Sequence, residues 1–418
     1  MRDVIAAALA ALACVLAAPS TSGAQGTSPI VIDRHMTVGA GATVMATFGD
    51  AVARGEDAVV PHRLFAENGV PRRTANFLFR MVKLIDVDLP QEQLLMVVNH
   101  EVFGHGARLR ERFDGSISYQ IDAPFPFGDG GGSTSFELTR EPTTPEWLAI
   151  SAAGMEVDGV TAGLIAHRAF LDGRMRSRDA IRYFSSELDT FSYVQSTGDS
   201  PEQPGHDVSD FLLTYNMAAR SVGAPELSAS TLRREVVVAL ANPMLGYALF
   251  GIGRYVWNGE TDVPVPALSI GGVRYLPYLR YRLTSFGTEW AVINELGGRI
   301  PPVQIEARFG RSLKGSPFGL AIRREGVTTL RQWRIDGGVE LWRQPPFEGD
   351  SVEPLAEPLR WGTLVRGRAE RPLSRAWFGD TPITFIVDLA FKTQGFVAGE
   401  PLGSGVVARA GIGIPFRH

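Results

Sequence analysis

Cysteine is nearly absent from this chain of 418 residues, because Cys14 is the only one. It lies in an apolar run, Val4 to Ala18, that follows Arg2 and precedes Ser22-Gly23-Ala24. A positive start, an apolar stretch and small residues before a cleavage point are typical of a secretory signal. We therefore expect residues 1–24 to be removed on export. The mature protein would then have no cysteine and could form no disulfide.

A basic stripe is also lacking. The formal net charge is −4 and the mean hydropathy is near zero, at +0.02. These values argue against nucleic acid as a partner, since such proteins carry clustered Lys and Arg. The glycine-rich stretch Gly128 to Ser133 lacks the lysine and the following helix of a phosphate-binding loop. We interpret it as a loop near an active site, and a flexible surface connection is the alternative.

The chain does contain two histidines and a glutamate, His100, Glu101 and His105, inside an otherwise apolar, helix-like run. Neutral imidazoles are the commonest ligands of a catalytic zinc, which takes three protein ligands and leaves one position for water. A carboxylate next to a ligand can remove a proton from that water. This pattern favours a metal site over a helix whose histidines only cap or pack.

The spacing of the two histidines requires an irregular helix. Residues five apart lie roughly 140° apart around a regular α-helix, so His100 and His105 would not face one ion. A π-bulge adds one residue to a turn, and such bulges occur mostly at functional sites. Gly104 is the expected position for it, because glycine has no side chain to crowd a widened turn.

The stretch His100-Glu101-Val102-Phe103-Gly104-His105 resembles the His-Glu-x-x-Gly-His motif of the dipeptidyl peptidase III family. The resemblance implies that His100 and His105 bind Zn²⁺ and that Glu101 is the catalytic base. That family takes its third ligand from a glutamate on a later helix, which implies Glu156 here. Met155 replaces the first of the paired glutamates in the family's second motif. Asp158 is a candidate acceptor for the N–H of a ligand imidazole.

Helical periodicity predicts several helices in the first 260 residues. They are expected at Arg72–Ile85, Pro90–Arg112, Thr144–Leu171, 176–196 and 207–221. Residues 25–60 show no clear pattern, because Gly39, Gly41 and Gly49 dilute any helix. His206 precedes the last of these helices and is a candidate for stabilising an oxyanion. Val236 to Gly253 carries no charge and predicts a buried, kinked helix or helix pair, with a membrane span as the alternative.

After Pro266 the period changes from helical to alternating. In one run Val303, Ile305 and Phe309 alternate with Glu306 and Arg308. About eight strands are predicted, near 270–283, 288–297, 302–311, 316–325, 330–343, 359–369, 382–394 and 404–416. Apolar residues on one face and charged or small ones on the other suit a β-barrel with a polar interior, and a soluble sandwich fits almost as well.

The β half resembles bacterial outer-membrane barrels, including an aromatic residue, Phe416, near the C-terminus. Such barrels usually end on the aromatic itself, whereas Arg417 and His418 follow here. The expected fold is therefore α+β: a signal at 1–24, a helical metallopeptidase-like domain at 30–262, and an antiparallel β domain at 264–418.

The expected function is that of an exported zinc peptidase acting on a peptide or protein, in the outer membrane or periplasm of a Gram-negative-type bacterium. The alternative is a non-catalytic outer-membrane protein whose helical part keeps a structural metal or binds a partner. A structural zinc site would be closed by a fourth protein ligand, so the ligand count separates the two.

Overall fold

The computed structural model describes residues 28–66, 69–198, 205–348, 353–373 and 383–414. The predicted signal and Phe416 lie outside these ranges. The described chain mixes helices and strands, with a mainly helical first part followed by a large antiparallel sheet. The α+β expectation is confirmed at this level.

Nine α-helices occur in the described residues. They are α1 (Val38–Val59), α2 (Val70–Lys83), α3 (Leu89–Val98), α4 (Gly106–Arg112), α5 (Thr144–Asp172), α6 (Ser177–Ser196), α7 (Asp207–Ser221), α8 (Ala229–Val237) and α9 (Pro243–Asn258). Two short π-helices, Leu84–Asp88 and Asn99–His105, join α2 to α3 and α3 to α4, and 3₁₀ turns occupy Val238–Ala241 and Pro354–Ala356.

The predicted helix start near Pro90 is confirmed, because α3 begins at Leu89 with Pro90 in its first turn; a π-helix and not a loop joins it to α2. Proline has no N–H to donate to the preceding turn. The π-helix Leu84–Asp88 directly precedes Pro90 and accommodates the missing donor. The other end of the predicted metal helix, at Arg112, is confirmed.

Helix α1 was not predicted, and its glycines explain both the weak signal and the packing. Each of them lowers helix propensity. Gly41 lies against the ring of Phe103, and Gly49 lies against the guanidinium of Arg182. A side chain at either position would collide with these groups. The glycines are therefore needed for close helix packing, which outweighs their intrinsic cost.

Ten strands form one antiparallel sheet, in the order β1-β14-β13-β12-β11-β10-β9-β8-β7-β6. Its members are β1 (Ser28–Ile32), β6 (Leu268–Ile270), β7 (Val273–Thr284), β8 (Gly287–Gly298), β9 (Val303–Arg311), β10 (Phe318–Leu330), β11 (Trp333–Gln344), β12 (Arg360–Pro372), β13 (Thr384–Lys392) and β14 (Gly405–Ile414). Four short strands lie outside this sheet: β2 (Gly115–Ile121) pairs with β3 (Gly132–Leu138), and β4 (Arg174–Arg176) pairs with β5 (Asp262–Pro264).

All eight predicted strands are confirmed as β7 to β14, and β1 and β6 extend the sheet at its two ends. Closure into a barrel is not seen: within the described ranges, the end strands β1 and β6 do not pair with each other. The first strand comes from the N-terminal part of the chain, so the sheet is not built only from residues after 264.

The long helix α5 packs between the other helices and the sheet. A capping box fixes its start, in which the Thr143 side chain and Glu146 each satisfy a backbone N–H of the first turn. It is long and apolar enough to cross a membrane, but 78% of its most apolar window is buried inside the protein. This burial is typical of a core helix. The uncharged stretch near Val236–Gly253 forms the predicted kinked pair, α8 and α9, bent by 59°.

Candidate metal centre

The π-helix Asn99–His105 brings the two histidines of the motif together, as the spacing predicted. The ring centroids of His100 and His105 are 5.0 Å apart. Gly104 lies in the widened turn, and its Cα atom packs against the backbone of Ala153 and Gly154 on α5. A side chain there would push α5 away. The widened turn thus serves both the histidine geometry and the helix contact.

Asp207, the first residue of α7, lies between the two imidazoles. Its Oδ2 atom is 2.9 Å from His100 Nε2 and 3.1 Å from His105 Nε2. Asp207 therefore contacts the same nitrogen of each ring. The three ligand atoms all lie within 4.8 Å of one another, and two imidazoles with one carboxylate are a donor set that zinc uses. The residues present thus fit a zinc ion.

The other nitrogen of each ring is occupied by a protein acceptor. His105 Nδ1 donates to the carbonyl oxygen of Ile150 at 2.8 Å. His100 Nδ1 faces Asp189 Oδ2 at 3.3 Å and Asp158 Oδ2 at 3.5 Å. Such partners fix the tautomer in which Nδ1 carries the proton and Nε2 is free to bind a metal. The predicted role of Asp158 agrees with this geometry, and Asp189 shares it.

The charges at this site are closely balanced. Burial alone would lower the pKa of His100, but Asp189 and Asp158 raise it well above the usual value. Burial likewise opposes the charged form of Asp207, yet the two imidazoles hold its pKa well below the usual range. Burial raises the pKa of Asp158 to about 7, despite hydrogen bonds from His100 and Asn99. The buried carboxylates around the imidazoles thus favour positive charge at this position, which a divalent cation would supply.

Glu156, the third ligand implied by the resemblance, does not join the histidines. Arg108 donates to both of its oxygens, at 3.1 and 2.5 Å, and the backbone N–H of Gly399 donates at 2.8 Å. The physical reason is helical geometry, since residues two apart lie roughly 200° apart around a helix. Asp158 faces His100, so Glu156 faces the opposite side of α5. The carboxylate that lies beside both histidines is that of Asp207 and not that of Glu156.

Glu101 lies beside the histidines without entering the ligand group. It is 4% exposed, and its Oε2 atom accepts a hydrogen bond from Thr134 Oγ1 at 2.6 Å. Thr134 belongs to β3, whose first residue, Gly132, lies against the Glu101 side chain. The glycine-rich loop predicted near the site therefore leads into a strand that positions the proposed base.

Two further residues flank the histidines. The ring of Tyr193 stacks on His100 with a centroid distance of 4.9 Å and an interplanar angle of 15°. Burial raises the pKa of Tyr193 well above its usual value, so its hydroxyl remains a hydrogen-bond donor at neutral pH. His206 lies next to Tyr193, with centroids 5.7 Å apart, and its Nε2 contacts Ser196 Oγ at 3.1 Å. His206 thus reaches the edge of the site.

Sequence reasoning missed Asp207, Asp189 and Tyr193. Asp207 has the pattern of an ordinary acidic residue at a helix start, and no spacing links it to a motif 100 residues earlier. One signal was available in the sequence. Glu156 and Asp158 are two residues apart and lie on opposite faces of a helix, so they could not both lie beside the same histidine site.

The chain matches no protein-family model, no curated protein and no solved structure. The case for a function therefore depends on the geometry of the site.

Proposed function

We propose that the protein is a zinc-dependent peptidase that hydrolyses peptide bonds at the His100, His105 and Asp207 site. One observation carries the proposal: the Nε2 atoms of both histidines converge on a single carboxylate oxygen of Asp207, while both Nδ1 atoms face protein acceptors. Three ligands with Glu101 alongside are the composition of a catalytic zinc site with an open position.

A zinc ion held by these residues would supply a Lewis acid that activates water and polarises a carbonyl group. Glu101 would take the proton from that water and return it to the leaving amine. Its hydrogen bond from Thr134 holds the carboxylate in place beside the ligands without neutralising it. Asp189 and Asp158 keep His100 in the tautomer that binds metal, which is a positioning role.

Strand β3 suggests how a peptide reaches Glu101. It pairs with β2 on one side only, so its other edge offers backbone hydrogen-bonding groups in the described part of the chain. An extended peptide could add to this edge as a further strand. Thr134 links the edge to Glu101, so a bound main chain would pass the proposed base. Tyr193 would then donate a hydrogen bond to the oxyanion that forms during hydrolysis.

A second candidate function is a metal that ties the helices together without catalysis. The burial of Glu101 favours it, because a base must reach substrate and only 4% of this residue is exposed. A structural site needs a fourth protein ligand. Within the described residues, the group formed by His100, His105 and Asp207 has three members, which favours the catalytic proposal.

The zinc content and the chelator sensitivity of the purified protein test the proposal together. We expect about one zinc per chain, cleavage of a broad peptide library, and loss of cleavage after chelation with recovery on adding zinc. A protein that binds zinc tightly but cleaves no peptide would support the structural role. A protein that takes up no zinc, even when refolded with it, would contradict both.

A further inference from the structure

The two faces of the large sheet have opposite polarity. The face that packs against α5, called the inner face here, carries ionisable side chains. On β11 to β14 they are Arg334, Asp336, Glu340, Arg366, Arg368, Glu370, Asp388, Lys392 and Arg409. Most of them form ion pairs with one another, whereas Lys392 donates to backbone carbonyl groups. Several are almost fully buried: Lys392 is 0% exposed and Glu340 is 2% exposed. The charged side of this sheet is therefore its interior.

The other face, called the outer face here, is apolar and exposed. Val406 is 74% exposed, Phe391 is 55% exposed and Leu389 is 52% exposed. Between the strand ends, the outward positions of β11 to β14 carry no charge; they are Ile335, Gly337, Val339, Leu341, Thr363, Val365, Gly367, Ala369, Val387, Leu389, Val406, Ala408 and Ala410. A soluble sandwich would bury this face instead.

Most aromatic residues of the outer face lie in two rows near the strand ends. At one end, Phe309 pairs with Phe318, whose ring is 5.3 Å from that of Trp361 in an edge-to-face contact. At the other end, Trp333 and Phe385 lie 6.2 Å apart. On β11 to β14, small and aliphatic residues fill the space between these two rows, apart from Phe391, which pairs with Val365 and Val406. Protein interfaces show the reverse arrangement, with aromatic residues at the centre and a polar rim.

The distance between the two rows matches a membrane. On β11, Trp333 and Arg343 are ten positions apart, and Arg343 pairs with Trp361 on β12. Ten rises of about 3.3 Å give roughly 33 Å along the strand. With the tilt of about 35–45° found in membrane sheets, the height becomes about 25 Å, the thickness of the apolar band of such proteins. Arg343 and Arg371, at the two rows, would lie in the polar headgroups.

An open sheet edge is costly in lipid, and helix α1 reduces this cost. The hydroxyl of Thr43 accepts a hydrogen bond from the N–H of Val31 at 3.2 Å, and the hydroxyl of Thr47 donates to the carbonyl of Pro29 at 2.8 Å. Both partners are backbone groups of the end strand β1. The helix therefore satisfies edge groups of β1 that no strand among the described residues pairs.

We propose that the outer face of β11 to β14 rests in the hydrocarbon of a lipid bilayer, with the two aromatic rows at its water interfaces. The loops beside the Trp361 row contact the helix that follows the candidate metal site, as Arg108 donates to the carbonyl of Glu400 and Arg112 pairs with Glu348. The catalytic site would then lie beside that interface. The membrane contact does not depend on the peptidase proposal.

Single-cysteine labelling of the full chain tests this contact. In a Cys14→Ser background, the variants Leu389→Cys and Val406→Cys place a label on the outer face. Val59→Cys, on α1, is the matched control, because Val59 is 82% exposed and lies outside the sheet. An environment-sensitive fluorophore is attached to each, and the proteins are reconstituted into phosphatidylcholine vesicles with and without brominated acyl chains.

We expect a blue shift and quenching by brominated lipid at positions 389 and 406, and neither at position 59. Leu389→Arg should lower the vesicle-bound fraction at least about tenfold, whereas Val59→Arg should leave it unchanged. No quenching at 389 and 406, or equal quenching at all three positions, would overturn the proposal. Shielding of 389 and 406 that grows with protein concentration without lipid would instead show that a second copy covers this face.

Discussion

Gly154 on α5 lies against the imidazole ring of His100, so closely that a methyl group at this position would overlap Nε2. We therefore expect Gly154→Ala to displace the ring of His100 from Asp207 and to lower zinc affinity by more than about 100-fold. This loss exceeds the roughly 10- to 100-fold loss typical of removing a residue that hydrogen-bonds a metal ligand. Zinc titration of the metal-free protein measures this change, and circular dichroism checks the fold.

Gly159→Ala is the matched control on the same helix. A methyl group at Gly159 would meet its nearest neighbour, Arg280, at 3.5 Å, an ordinary contact. Alanine is favoured over glycine within a helix by about 1 kcal/mol, so this variant should be at least as stable as the wild type and should bind zinc normally. Equal zinc affinity in both variants would show that His100 does not bind the metal.

Asp207 and Glu156 are the two candidates for the third zinc ligand, and we expect opposite effects on zinc binding when each is substituted. Asp207→Asn should lose zinc and keep its fold, because asparagine removes the anionic ligand at nearly constant size. Glu156→Gln should keep zinc but lose about 3 kcal/mol of unfolding free energy, since it removes one of the two carboxylates, Glu156 and Glu111, that pair with the buried Arg108. Elemental analysis and urea unfolding of both variants separate the assignments. Zinc loss in Glu156→Gln alone would restore the assignment implied by the motif.

Stability should depend on pH through Glu146, at the start of α5. Burial alone would raise the pKa of Glu146, but hydrogen bonds from Arg140, Thr143 and Arg112 lower it to about 2, below its ordinary 4.5. A depressed pKa gives stability that is present above the unfolded value and is lost as pH falls from about 4.5 towards 2. Because Arg140 is partly exposed, water screens the interaction, so we expect a contribution of about 1–2 kcal/mol.

The variant Glu146→Gln isolates this contribution. It should be less stable than the wild type by about 1–2 kcal/mol at pH 7, and the difference should shrink as the pH falls below about 4.5. Denaturant unfolding at several pH values checks the prediction. A difference that stays constant down to pH 3 would show that the ion pairs of Glu146 do not stabilise the fold.

The strands were predictable because their pattern is local. The alternation around Val303 and Phe385 has a strict period of two, and each of the eight strands appears near its expected position. The pairing at the end of the sheet was not predictable, since it joins β1 to β14 across the chain: the nearest paired residues are Ile32 and Ala410, and 410 − 32 = 378 positions separate them. Helix α1 was hidden by glycines whose purpose is packing against distant residues such as Arg182.

The histidine half of the site was predictable for the same reason. His100, Glu101 and His105 lie within six consecutive residues, and two histidines at this spacing can face one ion only through a widened turn such as the π-helix that the structure contains. The third position was not, because Asp207 reaches the histidines only through the packing of α7 on α5. Glu156 was assigned by analogy with a motif, and the nearby cation Arg108, which holds it, has no sequence signature.

The activity of Glu101→Gln tests the peptidase proposal most directly. Glutamine keeps the size of the side chain and its contact with Thr134 but cannot accept the proton of the attacking water. We predict that the variant binds one zinc per chain, unfolds like the wild type, and cleaves peptides about 10²–10⁴-fold more slowly. Wild-type cleavage rates in a zinc-loaded Glu101→Gln protein would contradict the assignment of Glu101 as the base and, with it, the proposed mechanism.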